Sequence, residues 1–380
     1  MMDDQPLVCT MGTTLNSTEM FPPDGLCEYI FYDSLYREGR NSIVSPEQFD
    51  PNLRTFMDVA PTYRITAFGI GVTFSVVYFL EIYLNTSTSD YKPMKPFWDN
   101  SIYHIGILDT HTVDPVEREV ISALGCLKLL RDRFSSELMI QGRKVFTVFA
   151  ASVPDDVWAN FYIRNFTGLF KPDLFIAFGH FDRGDNSLPS CRIVPPTLLQ
   201  RPRGAEDSYQ HDMTAGLESI KKLSASSLAL KFALSVTMKG RLAESTVPDQ
   251  YDFFTPCKTD PPMASFASYA QVCNNPGYKT TPIYDHQVDG TRILHAVEPQ
   301  VFSYDDRVGL CKKLCTIRAQ GTSMKFGIAV FDLDYADFSN TCGSKGGPFS
   351  RLHMIRNVLN FFRTRYTTTA DMADCVNLAT

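Results

Sequence analysis

Eight apolar runs rich in Val, Ile and Phe punctuate the chain, at Leu7–Met11, Glu28–Leu35, Ile65–Phe74, Ile102–Leu108, Lys144–Val153, Asp173–Phe181, Ala229–Met238 and Lys325–Leu333. A strand wetted on one face alternates apolar with polar residues, whereas a strand buried on both faces is apolar nearly throughout. The second habit belongs to parallel sheets. Between several runs the period becomes helical. In "VDPVEREVISALGCLKLLRDRFSSELM", Val116, Val120, Leu124, Leu127 and Phe134 share one face behind the start signal Asp114-Pro115. "GPFSRLHMIRNVLNFF" sets Leu352, Ile355, Leu359 and Phe362 on one stripe. Eight buried strands with helices between them predict an α/β fold, a (β/α)8 barrel.

The chain is 380 residues long with 44% hydrophobic and 21% charged residues, enough for a large core. Pro189–Ser208 and Ala243–Pro299 are rich in Pro, Asp, Ser and Tyr. They read as long irregular loops over a barrel end, the second between strands seven and eight. No repeat or linker divides the sequence, so one domain is expected over 6–365, with 366–380 as a C-terminal tail.

Several function classes find no support. A net charge of −6 with scattered Lys and Arg argues against nucleic acid as a partner. The longest uncharged stretch, "ITAFGIGVTFSVVYFL", is rich in Gly, Thr and β-branched residues and reads as a strand entering a helix, so no membrane span is expected. Neither G-x-x-x-x-G-K-[ST] nor G-x-G-x-x-G occurs, and G-x-S-x-G is absent. The ten cysteines contain no C-x-x-C pair, so no metal and no cofactor is expected. Their number in a chain of this size, with sequons at Asn16, Asn85 and Asn165, points to an oxidising, glycosylating compartment and a secreted protein. The opening "MMDDQPLVCT" shows no signal peptide.

Particular motifs carry a resemblance. "LVCTMG…GLCEYIFYDSL" resembles the opening of glycoside hydrolase family 18, the chitinases and chitinase-like proteins. "AQVCNNPGYKTTPIYDHQVDGTRILHAVEPQVFSYDD", a helix and "MKFGIAVFDLDYADFSNTCG" resemble its last-strand region, including the -YDD- turn. "VFAASVPDD" and "ALSVTMKGR" look like its fifth and seventh strands. Within that family the chain is most similar to secreted arthropod proteins with an eroded motif. The resemblance implies that Cys9 bonds Cys27 and that Cys273 bonds Cys342. Partners for Cys126, Cys191, Cys257, Cys311, Cys315 and Cys375 stay open.

Family 18 enzymes cleave β-1,4-linked N-acetylglucosamine with the substrate's own acetamide as nucleophile. A D-x-x-D-x-D-x-E motif on strand four supplies the proton donor and the Asp that orients the acetamide. The corresponding stretch here is "YHIGILDT". Placing the final Glu at Thr110 puts Tyr103, Gly106 and Leu108 on the Asp positions. Placing it at Asp109 puts Ile102, Ile105 and Ile107 there. Neither register keeps the catalytic group, so no catalytic residue is expected, and Asp109 and Thr110 mark the degenerate acid position.

The other groove positions are altered too. The third-strand Gly-Gly-Trp becomes Gly69, Ile70 and Gly71. The sixth-strand Met-x-Tyr-Asp becomes Ala177, Gly179 and His180, with Asp182 just beyond. Phe331 replaces the Trp that floors the central sugar subsite, and only Tyr32 and Arg241 match groove residues. Of the two tryptophans, Trp98 lies just before strand four and Trp158 on an expected helix, so neither sits at a groove position. Tyr32, His180, Asp182, Arg241 and Phe331 are the ligand-binding candidates. Three readings follow: an inactive secreted protein binding chito-oligosaccharide or another glycan, an active glycosidase using Asp109, and a protein-binding factor with a closed groove. A monomer is the expected state.

Overall fold

The computed structural model describes residues 4–12, 14–86, 92–110, 116–138, 144–181, 189–204, 209, 211–226, 228–259 and 266–379. The chain clusters into two compact units. The first (residues 1–18, 23–177 and 218–233) carries strands β1 (Leu7–Met11), β2 (Tyr29–Leu35), β3 (Ala67–Val72), β4 (Ile102–Thr110), β5 (Thr147–Ala151) and β6 (Leu174–Ala177). Its helices are α1 (Pro51–Val59), α2 (Val77–Thr86), α3 (Lys95–Asp99), α4 (Glu117–Leu138) and α5 (Asp156–Gly168).

The second unit (residues 19–22, 178–217 and 234–380) begins with β7 (Cys191–Arg192). Helix α6 (Met213–Ser224) and strand β8 (Lys231–Thr237) are each divided between the units. There follow β9 (Gly240–Glu244), β10 (Pro256–Cys257), β11 (Phe266–Ala267), α7 (Tyr269–Cys273), β12 (Ile283–Asp285), β13 (Gly290–Leu294) and β14 (Gln300–Tyr304). Helix α8 (Arg307–Gln320), strand β15 (Gly327–Phe331), α9 (Ser350–Thr364) and α10 (Met372–Val376) complete it.

Hydrogen bonding closes a barrel of eight strands in the order β1-β15-β8-β6-β5-β4-β3-β2. Each of these strands falls on one of the eight apolar runs. The fold is a (β/α)8 barrel.

Alternation along the strands decides what the barrel encloses. Phe149 of β5 and Phe175 of β6 pack against Tyr162 and Phe166 of α5, so these rings face the helix layer. Ile107 of β4 stands in register with Phe149 and shares that side. Gly106 and Leu108 therefore occupy the inner face. Phe31, Gly69 and His104 lie side by side in register on β2, β3 and β4. A β-carbon at Gly69 would sit 2.7 Å from Cδ1 of Phe31, so the Phe31 ring occupies the space that the glycine leaves.

The segment Ala243–Pro299 is long and made largely of turns, but it also supplies β11, β12, β13 and the end of β9 to a five-stranded sheet in the order β11-β9-β14-β13-β12, while β7 and β10 form a separate antiparallel pair. Ile293 faces Phe302, which faces Leu242, and these residues share a small core with Tyr278 and Tyr304. Its strands run from two to five residues, too short for alternation to stand out among Pro- and Asp-rich turns.

Disulfides join Cys9 to Cys27 and Cys273 to Cys342, and two further bonds join Cys191 to Cys257 and Cys315 to Cys375. The last of these ties α8 to α10, so the segment from residue 366 onward folds as a helical turn with Cys375 fully buried. Cys126 and Cys311 are free and buried. Burial, reinforced by the Glu81 carboxylate, holds the Cys126 thiol well above its ordinary range. Burial raises Cys311 to about 12, partly offset by Arg307. Because the thiolate is the reactive form, a thiol reagent at pH 8 should label neither in the native protein. Both should react in denaturant without reductant. Rapid native labelling of two thiols would contradict this packing.

Among the described residues, no helix is long and apolar enough to cross a membrane and no group of His, Cys, Asp or Glu has a metal-holding arrangement.

Candidate strand-end site

In the first unit a polar network links the carboxyl ends of β2, β3 and β4. The Asp109 carboxylate reaches sideways to the loop after β3, accepting hydrogen bonds from the Thr73 hydroxyl and, at 2.7 Å, from the Phe74 amide. Phe74 opens the short turn that leads into α2, so Asp109 satisfies an amide that the helix start leaves without an intrahelical partner. The Arg37 guanidinium stands 3.7 Å from Asp109 and 2.8 Å from Asp33, whose carboxylate also accepts from the Ser34 hydroxyl. Both Asp109 oxygens are thus engaged as acceptors, and the Asp109 side chain is only 10% exposed.

The alternation on β4 holds as far as Leu108, with Gly106 and Leu108 inward and Ile105 and Ile107 turned to the helices. The register with β5 shifts between Ile107 and Thr110, so that Thr110 pairs with Ala151 and alternation does not choose between Asp109 and Thr110. The Thr110 hydroxyl is buried and has no hydrogen-bond partner among the described residues. Leu108 fills the inner face between Gly71 and Gly106, with its methyl groups 3.0 and 3.2 Å from where their β-carbons would lie. A methyl-lined space of this kind offers nothing to orient an acetamide.

Tyr32 turns away from the barrel interior. It pairs in register with Ile70, packs edge-on against Phe56 of α1 at 5.6 Å and receives a hydrogen bond from the Asn41 amide at 3.1 Å. Its match to a groove residue holds in sequence, yet strand alternation sends the ring to the helix side, where it is 1% exposed.

The remaining candidates lie in the second unit. His180 is fully buried, with Nδ1 2.7 Å from the Ser235 hydroxyl and its ring 4.8 Å from that of Phe331. Phe178 closes the same cluster at 6.1 Å from Phe331. Phe331 is 2% exposed, so its ring face is covered by neighbours rather than open. Arg241 on β9 lies 3.6 Å over the Phe181 ring and donates to the Arg192 carbonyl at 3.3 Å, which holds it in a cation–π stack. Asp182 lies outside the described residues.

Sequence reasoning did not single out a second ion pair here. At the ends of β8 and β15, Lys239 contacts Asp332 at 2.6 Å, and Asp332 also accepts from the Thr237 hydroxyl at 2.7 Å. The only signal available was their position just past two apolar runs. Of the sequon residues, Asn16 and Asn85 are exposed, while the Asn165 amide donates to the Phe161 carbonyl within α5 at 2.8 Å. Trp98 and Trp158 sit on α3 and α5, Trp98 just before the amino end of β4.

Sequence comparison finds no matching family model and no matching curated protein. Structural comparison finds proteins of similar fold. A Group IV chitinase from Ostrinia furnacalis in complex with allosamidin superposes with a TM-score of 0.67 at 16% identity, over 94% of this chain and 99% of that one. The likeness is one of fold. An immunomodulatory active chitinase from Trichuris suis gives a TM-score of 0.68 at 14% identity, over 93% of this chain and 100% of its own. A chitinase-like agglutinin from Robinia pseudoacacia gives 0.57 at 13%, over 93% and 99%. The chain therefore shares the barrel of family 18 chitinases and chitinase-like proteins across nearly its whole length.

Proposed function

We propose that this chain is an extracellular binding protein on a chitinase fold, without glycosidase activity. The observation that supports this reading is the end of β4. The inward Gly106 and Leu108 carry no carboxylate, and of the two residues at the degenerate acid position Asp109 is committed to the start of α2 and Thr110 is a buried hydroxyl. A threonine hydroxyl does not donate a proton near neutral pH, and general acid catalysis is worth about 10²- to 10⁴-fold. Loss of the orienting carboxylate removes a further positioning contribution. Four disulfides support an oxidising, extracellular setting.

The test is turnover of a fluorogenic N-acetylglucosamine oligomer by wild type and Asp109→Asn, with circular dichroism confirming that both fold. Neither should hydrolyse it. Turnover by wild type that Asp109→Asn abolishes would make Asp109 the acid and overturn the proposal.

The covered Phe331 ring favours a protein partner engaged through the outer surface over a sugar stacked on the barrel floor. Glycan binding is the second reading, favoured by the agglutinin among the structural neighbours. Calorimetry with chito-oligosaccharide at millimolar concentration separates them. No heat of binding is expected, whereas binding weakened by Phe331→Ala would establish the lectin reading.

A further inference from the structure

A cavity of about 390 Å³ opens in the second unit at the amino end of α9, apart from the strand-end clusters. That volume lies within the range of small-molecule sites. One wall is the first turn of α9, and no side chain caps this 15-residue helix at Phe349. Its leading amides therefore lack intrahelical partners and carry the positive end of the helix dipole. The segment before the helix reads Gly343-Ser344-Lys345-Gly346-Gly347, with all three glycines at positive φ. A glycine-rich turn feeding a helix start is a recurrent way to present amides to an oxyanion.

Three cations line the same cavity. Arg307 approaches from α8 and spends Nη1 on the Lys345 carbonyl at 3.3 Å and Nη2 on the Leu378 carbonyl at 3.5 Å, which braces the loop against the helix. Its Nε is buried without a hydrogen-bond partner. Lys345 is exposed at the cavity mouth, whereas Arg351 on the first turn of α9 donates to the Asp305 and Met238 carbonyls, each at 3.0 Å, and supplies only its charge. Two carboxylates are also present, both already bound to amides. Asp306 accepts from Gly309 at 2.7 Å, and Asp337 accepts from Thr341 at 2.8 Å and Cys342 at 3.1 Å. On the remaining side, Tyr269 and Tyr304 line the cavity, stacked with ring centroids 4.5 Å apart, and since Tyr304 is buried and also stacks on Phe302, it is the less buried Tyr269 that a ring or sugar would meet.

We propose that this cavity binds a small molecule bearing a tetrahedral oxyanion, a phosphate or sulfate monoester of a sugar-sized group. The oxyanion lies against the α9 amides, Arg307 and Lys345, and the rest of the molecule lies against the tyrosine pair. The site is independent of the strand-end residues and does not depend on whether they hydrolyse or bind chitin.

Calorimetric titration of the full chain tests it, with N-acetylglucosamine 6-phosphate, N-acetylglucosamine 6-sulfate, inorganic phosphate, inorganic sulfate and neutral N-acetylglucosamine as probes. At least one ester should bind more tightly than either inorganic ion, and the neutral sugar should not bind. The tighter ester identifies which oxyanion the site prefers. Losing a charge-assisted contact through Arg307→Gln should weaken the ester roughly 10- to 100-fold. Lys345→Gln, at an exposed position where folding is not at stake, should also weaken it measurably and flatten its salt dependence. Esters that bind no better than the inorganic ions, or that bind the Lys345→Gln protein as tightly as wild type, would overturn the proposal.

Discussion

Lys313→Met should cost about 3–5 kcal/mol of folding stability, the range for breaking a buried ion pair on one side. Lys313 on α8 and Asp305 at the end of β14 meet at 2.6 Å, and neither side chain has any solvent exposure. Lys313 also donates to the Thr197 carbonyl at 2.6 Å, while the Thr197 amide donates to Asp305 at 2.9 Å. Methionine fills much of the volume but leaves the carboxylate in a dry interior with the Thr197 amide and the nearby Arg351 charge in place of its direct ion pair. The cost arises from that stranded charge more than from the lost attraction. A second change, Asp305→Leu, should therefore recover a large part of it. Urea denaturation of the two single variants and the double variant checks this. A Lys313→Met protein within about 1 kcal/mol of wild type would mean that the carboxylate reaches water.

Phe31→Ala should also destabilise by about 3–5 kcal/mol, because a fully buried ring is lost from a close-packed interior. The pairing with Gly69 makes the prediction sharper. In wild type, Gly69→Ala places a β-carbon 2.7 Å from Phe31 and 2.9 Å from the β-carbon of His104, an overpacking worth roughly 1–3 kcal/mol. With the ring gone, the same alanine enters the vacated space. The two substitutions should be strongly non-additive, with Gly69→Ala costing clearly less in the Phe31→Ala background, where only the His104 contact remains. Additive losses would show that Phe31 does not fill the space over Gly69.

The barrel could be read from sequence because each of its strands is buried on both faces and so carries its signal in consecutive residues. The sheet between β8 and β15 could not, because strands of two to five residues hold too few positions for a pattern. Side-chain direction was the harder problem at the candidate site. Tyr32 matched a groove position by motif, but one residue of alternation decides between barrel interior and helix layer. Asp109 and Thr110 were equally open in sequence, and the register shift that follows the pairing of Ile107 with Phe149 removes the simple alternation that would have told them apart. The Arg37–Asp33–Asp109 network had no sequence signature at all, since it joins the ends of three strands spread over more than 70 residues. The cluster Gly343-Ser344-Lys345-Gly346-Gly347 matched no motif, and its interest depends on what the fold places beside it.

The bond between Cys315 and Cys375 makes the last helical turn a checkpoint for the whole chain. A product ending before residue 375 leaves the Cys315 thiol one helical turn from free Cys311 on α8, with the cover that α10 provides removed. In an oxidising compartment, uncovered thiols of this kind invite exchange with other proteins. A nonsense or frameshift lesion near the end would thus spare every barrel strand and still leave the chain prone to cross-linking wherever conditions are oxidising.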